Sequence, residues 1–161
     1  MQMNSIRVDG GVKLQGRVKI QGSKNAVLPM LAATLLTKGE NVFYNCPKIS
    51  DVFQMKQLLD SIGCKIREYN EGKSVDASGV RIQQMPTDAV KAMRSSVCML
   101  GALLGRCGEV CMDSPGGCVI GARPIDMHLE ALEKMGAVFT LEKGRICGRA
   151  DKGFHGADIY F

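Results

Sequence analysis

Tryptophan is absent from this 161-residue chain, histidine occurs only twice, and no two basic residues stand side by side. A nucleic-acid surface clusters its basic residues and interleaves aromatic platforms, so a nucleic-acid partner is not expected. His128 and His155 leave little from which to build a histidine metal site, and the seven cysteines (46, 64, 98, 107, 111, 118, 147) contain no C-x-x-C pair. The odd count and irregular spacing argue against a disulfide framework, so most thiols are expected to be buried and reduced. Long apolar runs are missing too. The longest charge-free stretch, Asn25 to Thr37, is shorter than the roughly 20 residues that cross a bilayer. The opening MQMNSIRVDG has no apolar h-region of a secretory leader, so a cytoplasmic protein with no membrane contact is expected.

What is present is an ordinary globular composition, 45% hydrophobic and 23% charged. Lys+Arg 21 against Asp+Glu 16 gives 21 − 16 = +5, a modest and scattered excess that suits small anionic substrates. Residues 6–21 alternate apolar and polar with glycine at the breaks, the pattern of a half-exposed hairpin. An apolar helix is expected over Ala26–Leu36, with Pro29 in or near its first turn or kinking it, and a stop at Lys38-Gly39. A strand at Asn41–Asn45, a helix over Asp51–Ile62 stopped by Gly63, and strands at 65–68 and 73–76 follow. The pattern then recurs: a helix capped by Thr87 running through Leu104, a strand at 110–112, a helix at 125–135 stopped by Gly136, and strands at 138–141 and 145–148. LLDSIGCKI (58–66) aligns with ALEKMGAVF (131–139) at an offset of 136 − 63 = 73, and Gly39-Glu40 with Gly108-Glu109 at 108 − 39 = 69. Two copies of a mixed α/β unit of about 70 residues are the simplest reading. The second copy carries a longer connection, DSPGGCVIGARPID (113–126), where the first has only Asn45 to Ile49. Glycine-rich connections of this kind are where scaffolds carry function.

Four places are candidates for chemistry. Ser23-Lys24-Asn25 stands before the first helix, where backbone amides and the helix dipole favour an anion; equally, Ser23 or Asn25 caps the helix and Lys24 is solvated. Arg94 interrupts the apolar face of Met93, Val97, Leu100 and Leu104, either as an anion-binding fork or as a side chain reaching out to solvent. Cys118 follows Pro-Gly-Gly on the long connection with Arg123 nearby, a setting that favours a thiolate or a proton donor, although a loop cysteine is often incidental. His128 offers a partner for it, without an orienting residue that spacing identifies. Pro124 and Asp126 are ordinary helix-start residues, which leaves Arg123 displayed at a helix N-terminus.

Together, GSKNAVLP (22–29), KAMRSSV (91–97) and PGGCVIGARPIDMH (115–128) resemble the three N-terminal signatures of the UDP-N-acetylglucosamine 1-carboxyvinyltransferases, a branch of the enolpyruvyl transferase family. The resemblance runs from Ile6 to the end of the chain. It implies an α/β fold, an inside-out α/β barrel made of βαβαββ repeats. About two repeats of an incomplete first domain are expected here (22–86 and 87–161), with residues 1–21 a hairpin of a second domain that is missing. The implied reaction moves the enolpyruvyl group of phosphoenolpyruvate to the 3′-hydroxyl of UDP-N-acetylglucosamine with release of phosphate, the first committed step of peptidoglycan synthesis, without metal or organic cofactor.

By position, the resemblance implies that Lys24 and Asn25 contact phosphoenolpyruvate, that Arg94 helps hold the sugar nucleotide, and that Cys118 is the proton donor and the thiol alkylated by fosfomycin. Arg123, Pro124, Ile125, Asp126 and Met127 would wrap the uridine diphosphate, with Arg123 also reaching phosphoenolpyruvate; Ile125 and Met127 are conservative variants of the commoner residues, and Asp126 is unchanged. Family members are more than twice as long, so this piece is expected to lack turnover without the C-terminal part of the enzyme. A non-catalytic sugar-nucleotide-binding fragment is the alternative from another class. The shikimate-pathway branch ranks lower because it does not carry PGGC followed by ARPID, and a thiol redox or metal-binding protein ranks lowest.

Overall fold

A computed structural model of the chain describes residues 5–69, 72–81, 85–116 and 125–161. Two α/β units follow one another in sequence. The first comprises α1 (Lys24–Ala33), continued by a short 3-10 turn over Thr34–Leu36, then β1 (Glu40–Tyr44), α2 (Ser50–Ser61), β2 (Lys65–Glu68) and β3 (Gly72–Asp76). The second comprises α3 (Thr87–Ala92), a 3-10 turn over Arg94–Val97, α4 (Cys98–Cys107), β4 (Glu109–Asp113), α5 (Asp126–Lys134), β5 (Val138–Glu142) and β6 (Arg145–Arg149).

Each unit builds a three-stranded antiparallel sheet with its last strand in the middle, β1-β3-β2 and β4-β6-β5. The spacing is preserved as well: 109 − 40 = 69 for the first strands, 138 − 65 = 73 and 145 − 72 = 73 for the hairpins. Glycine ends both outer helices for the same reason. Gly63 and Gly136 have φ of +94° and +105°, a left-handed conformation that a side chain disfavours. The two open sheets of the described residues do not by themselves close a barrel.

One core joins the units. Leu31 and Leu35 from the first helical stretch, Leu58 and Leu59 from α2, and Leu100 and Leu104 from α4 are all essentially buried. Burying such side chains contributes roughly 1.5–3 kcal/mol each. Among the described residues no helix is long and apolar enough to cross a membrane.

Four expectations need correction. Residues 5–22 form neither helix nor strand, and their alternating apolar side chains stand in solvent, Ile6 and Leu14 at 92% and 93% exposure. Alternation specifies a hairpin only where an apolar layer receives one face, and this segment meets the rest of the fold through polar bonds at its end, Gly22 N–H to the carbonyl of Asn45 and Lys48 N–H to Gln21 Oε1. Helix α1 starts two residues earlier than its apolar run and carries Pro29 in its second turn. The helix expected from Thr87 to Leu104 breaks at Met93, whose φ of −134° and ψ of 116° are extended. Buried Ser96 bridges the break by donating from Oγ to the carbonyl of Val90 at 3.1 Å. Finally, Cys111 and Cys147 are register partners in β4 and β6 and are disulfide-bonded rather than reduced. Cys46, Cys64, Cys98 and Cys107 are free.

Candidate functional site

Lys24 and Asn25 occupy the first turn of α1 rather than preceding it, so they stand among its unpaired amides. Ser23 is the residue before the helix but makes no side-chain capping bond, and Asn25 is exposed with no side-chain hydrogen bond among the described residues. The capping alternative is therefore not what these side chains do. Lys24 Nζ lies 3.2 Å from Asp51 Oδ2, at the start of α2. That pair ties the N-terminal ends of two helices together. Sequence reasoning missed Asp51, whose only sequence signal is a carboxylate in a helix's first turn, where the dipole favours it anyway.

Arg94 opens the 3-10 turn after the break at Met93 and is half-buried. The break takes it out of the register of a continuous helix. The root of the long connection crosses this place. A Cβ at Gly116 would collide with the carbonyl of Lys91, so glycine is required for that approach. Thr87, expected as a helix cap, instead donates from Oγ1 to Asp113 Oδ2 at 2.7 Å, fixing α3 to the end of β4. Arg145, the register partner of Asp113, brings a further guanidinium to this root. Its Nε is buried and has no hydrogen-bond partner among the described residues. Thus the second and third motifs are brought into contact, while Lys24 is held with Asp51 on neighbouring helices α1 and α2.

On the far side of the connection, Ile125 precedes α5, and Asp126 and Met127 begin it with exposed side chains. Cys118, Arg123 and Pro124 lie outside the described residues. The described thiols are poor nucleophiles: burial pushes Cys64 up to about 12, helped by the nearby Asp76 and Asp60 carboxylates. Burial likewise raises Cys46, Cys98 and Cys107. No group of three or more His, Cys, Asp or Glu able to hold a metal occurs among the described residues.

The sequence model of the family described as EPSP synthase (3-phosphoshikimate 1-carboxyvinyltransferase) matches residues 8–160. The chain belongs to this enolpyruvyl transferase family. Within it, the chain is 45% identical over 158 residues to a UDP-N-acetylglucosamine 1-carboxyvinyltransferase of Desulfatibacillum aliphaticivorans, which covers 98% of this chain and 38% of that protein. The protein of the same name from Wolinella succinogenes is 42% identical over 160 residues, covering 99% and 38%. The chain therefore spans about 38% of the length of these relatives. Among solved structures, the enolpyruvyl transferase NikO from Streptomyces tendae aligns with a TM-score of 0.75 at 25% identity, over 88% of this chain and 31% of that one. EPSP synthase from Acinetobacter baumannii shares the fold, with a TM-score of 0.61 at 17% identity over 83% of this chain and 32% of that one. The enolpyruvyl transferase fold expected from the three motifs is thereby found.

Proposed function

We propose that this chain is part of a UDP-N-acetylglucosamine 1-carboxyvinyltransferase, acting in the cytoplasm at the entry to peptidoglycan synthesis. The reading is carried by the 45% identity to proteins of that name over 98% of the chain, with GSKNAVLP, KAMRSSV and PGGCVIGARPIDMH all inside the matched region. Identity to the shikimate-pathway enzymes' structures is much lower, 17%.

The residue types suit the reaction. Phosphoenolpyruvate carries up to three negative charges, which Lys24, Arg94 and Arg123 offset, while Asn25 adds hydrogen bonding at the helix end. Cys118 delivers a proton to the methylene carbon as the sugar 3′-hydroxyl attacks C2; loss of phosphate from the tetrahedral ketal then leaves the enolpyruvyl ether. Ile125, Asp126 and Met127 hold the nucleotide at the start of α5. At 38% of its relatives' length, the chain supplies one face of the site and requires the remainder of the enzyme for turnover. Residues 1–21 belong with that remainder, which accounts for the bare apolar side chains from Ile6 to Ile20.

Intact-mass spectrometry after fosfomycin treatment, with and without UDP-N-acetylglucosamine, tests this. A single adduct that peptide mapping places on Cys118, formed faster with the nucleotide, is expected. Labelling spread over several cysteines, or a rate indifferent to the nucleotide, would count against it. A nucleotide that binds without speeding the adduct favours the sugar-nucleotide-binding module.

A further inference from the structure

Unit one carries a group of charges that unit two does without. Glu68, at the end of β2, accepts on Oε1 from Lys73 Nζ of β3 at 2.8 Å and from Lys56 Nζ of α2. The Lys73 and Lys56 side chains are only 15% and 20% exposed. Lys73 and Glu68 line two neighbouring cavities of about 830 and 450 Å³, as does Lys48 from the connection between β1 and α2. The larger is also lined by Tyr69, Cys46 and a further cation, Lys19.

The internal repeat shows that the fold does not call for these charges. Adding 73 to 56, 68 and 73 gives 129, 141 and 146, occupied by Leu129, Leu141 and Ile146, the last fully buried. Unit two thus builds the same sheet order from apolar residues at the same places. Half-burying ammonium groups costs desolvation that leucine or isoleucine avoids. Among the described residues lining the smaller cavity, three lysines face one carboxylate, 3 − 1 = +2. Glu68 stays ionised, because the two lysines bonded to it hold its carboxyl down at about 2. Each ammonium has three donors, and Glu68 engages one from each of Lys56 and Lys73. The cavities fall in the size range of small-molecule sites. A compact oxyanion with several acceptor oxygens matches converging point charges best.

We propose that Lys48, Lys56 and Lys73, arranged around Glu68, form a binding site for a small phosphate-bearing molecule, distinct from the residues assigned to phosphoenolpyruvate and the sugar nucleotide. The test is titration of the 161-residue chain with inorganic pyrophosphate at low salt, followed by calorimetry and amide shifts, in parallel with adenosine 5′-diphosphate. The triple variant Lys56→Leu/Glu68→Leu/Lys73→Ile, which copies unit two, is expected to stay folded and to bind pyrophosphate at least about tenfold more weakly. Lys48→Gln is expected to weaken binding severalfold, and Lys24→Ala, which alters the proposed substrate site, to leave it in place. Tighter binding of the nucleotide than of pyrophosphate assigns a nucleotide phosphate as ligand; equal affinity assigns the free anion. Absence of binding up to about 10 mM, or unchanged affinity in the triple variant, overturns the proposal. Should the triple variant unfold, unchanged affinity in both Lys48→Gln and Lys73→Gln overturns it equally.

Discussion

The two units share one frame and stabilise it differently. In unit one, α2 buries Val52, Met55, Leu58 and Leu59 against α1 and α3; in unit two, α5 has no fully buried residue. Shifted by 73, those four positions become Ile125, His128, Ala131 and Leu132. The last three line an open groove of about 480 Å³ between α4 and α5. A repeat therefore preserves strand order and helix stops even where the packing of a helix is incomplete. Topology is set by local signals, whereas burial is set by which neighbour is present.

Core truncation should break the comparison most strongly. Leu58→Ala is expected to cost about 2–5 kcal/mol, since the side chain is fully buried, while Leu132→Ala, half-buried beside the groove, costs under about 1.5 kcal/mol. Urea unfolding of the two variants measures the gap, and equal losses would mean that α5 is as well packed as α2. The helix stops sharpen the contrast at a smaller scale. Both Gly63→Ala and Gly136→Ala place a side chain at positive φ, worth about 1–3 kcal/mol each. At Gly63 the new Cβ would also meet the carbonyl oxygen of Gly79 at 2.6 Å, whereas at Gly136 it meets the exposed ring of His155 at 3.0 Å, which can turn aside. Thermal melts should therefore rank Gly63→Ala below Gly136→Ala.

The smallest effect concerns acid. The folded-state pKa of Glu68 is lowered to about 2 by hydrogen bonds from Lys56 and Lys73, so its contribution is present above the unfolded carboxylate range. That contribution is lost as the pH falls from about 4.5 toward 2. Its side chain is 56% exposed, so solvent screening keeps the contribution below about 1 kcal/mol. Stability measured from pH 5 to about 2.5 should fall slightly less steeply in Glu68→Gln. An identical slope would remove the ion cluster from the differences between the units.

Much of the frame was legible because its signals are local. Gly63 and Gly136 stop helices at the residues where sequence reasoning placed the stops, and the 73-residue offset recurs in the hairpins. The break at Met93 was not legible, because Val90, Met93, Val97, Leu100 and Leu104 keep helical spacing straight through it. Of the candidate site, Lys24 was visible as a cation at a helix start, and Arg94 as a charge on an apolar face. Their surroundings were not visible: Asp51 lies 27 residues from Lys24 (51 − 24 = 27), and nothing in the spacing links Thr87 to Asp113.

By itself, the sequence determined the order of helices and strands from α1 onward apart from the break at Met93, the repeat, and the three motifs that mark an enolpyruvyl transferase, since propensity, glycine stops and motif identity are properties of neighbouring residues. Only the tertiary structure decided that Cys111 pairs with Cys147, that residues 5–22 form no strand, and that Lys56 and Lys73 meet on Glu68 with Lys48 lining the same cavity. Each of these depends on which distant segments meet, and such meetings are selected by shared burial and register rather than by any local pattern.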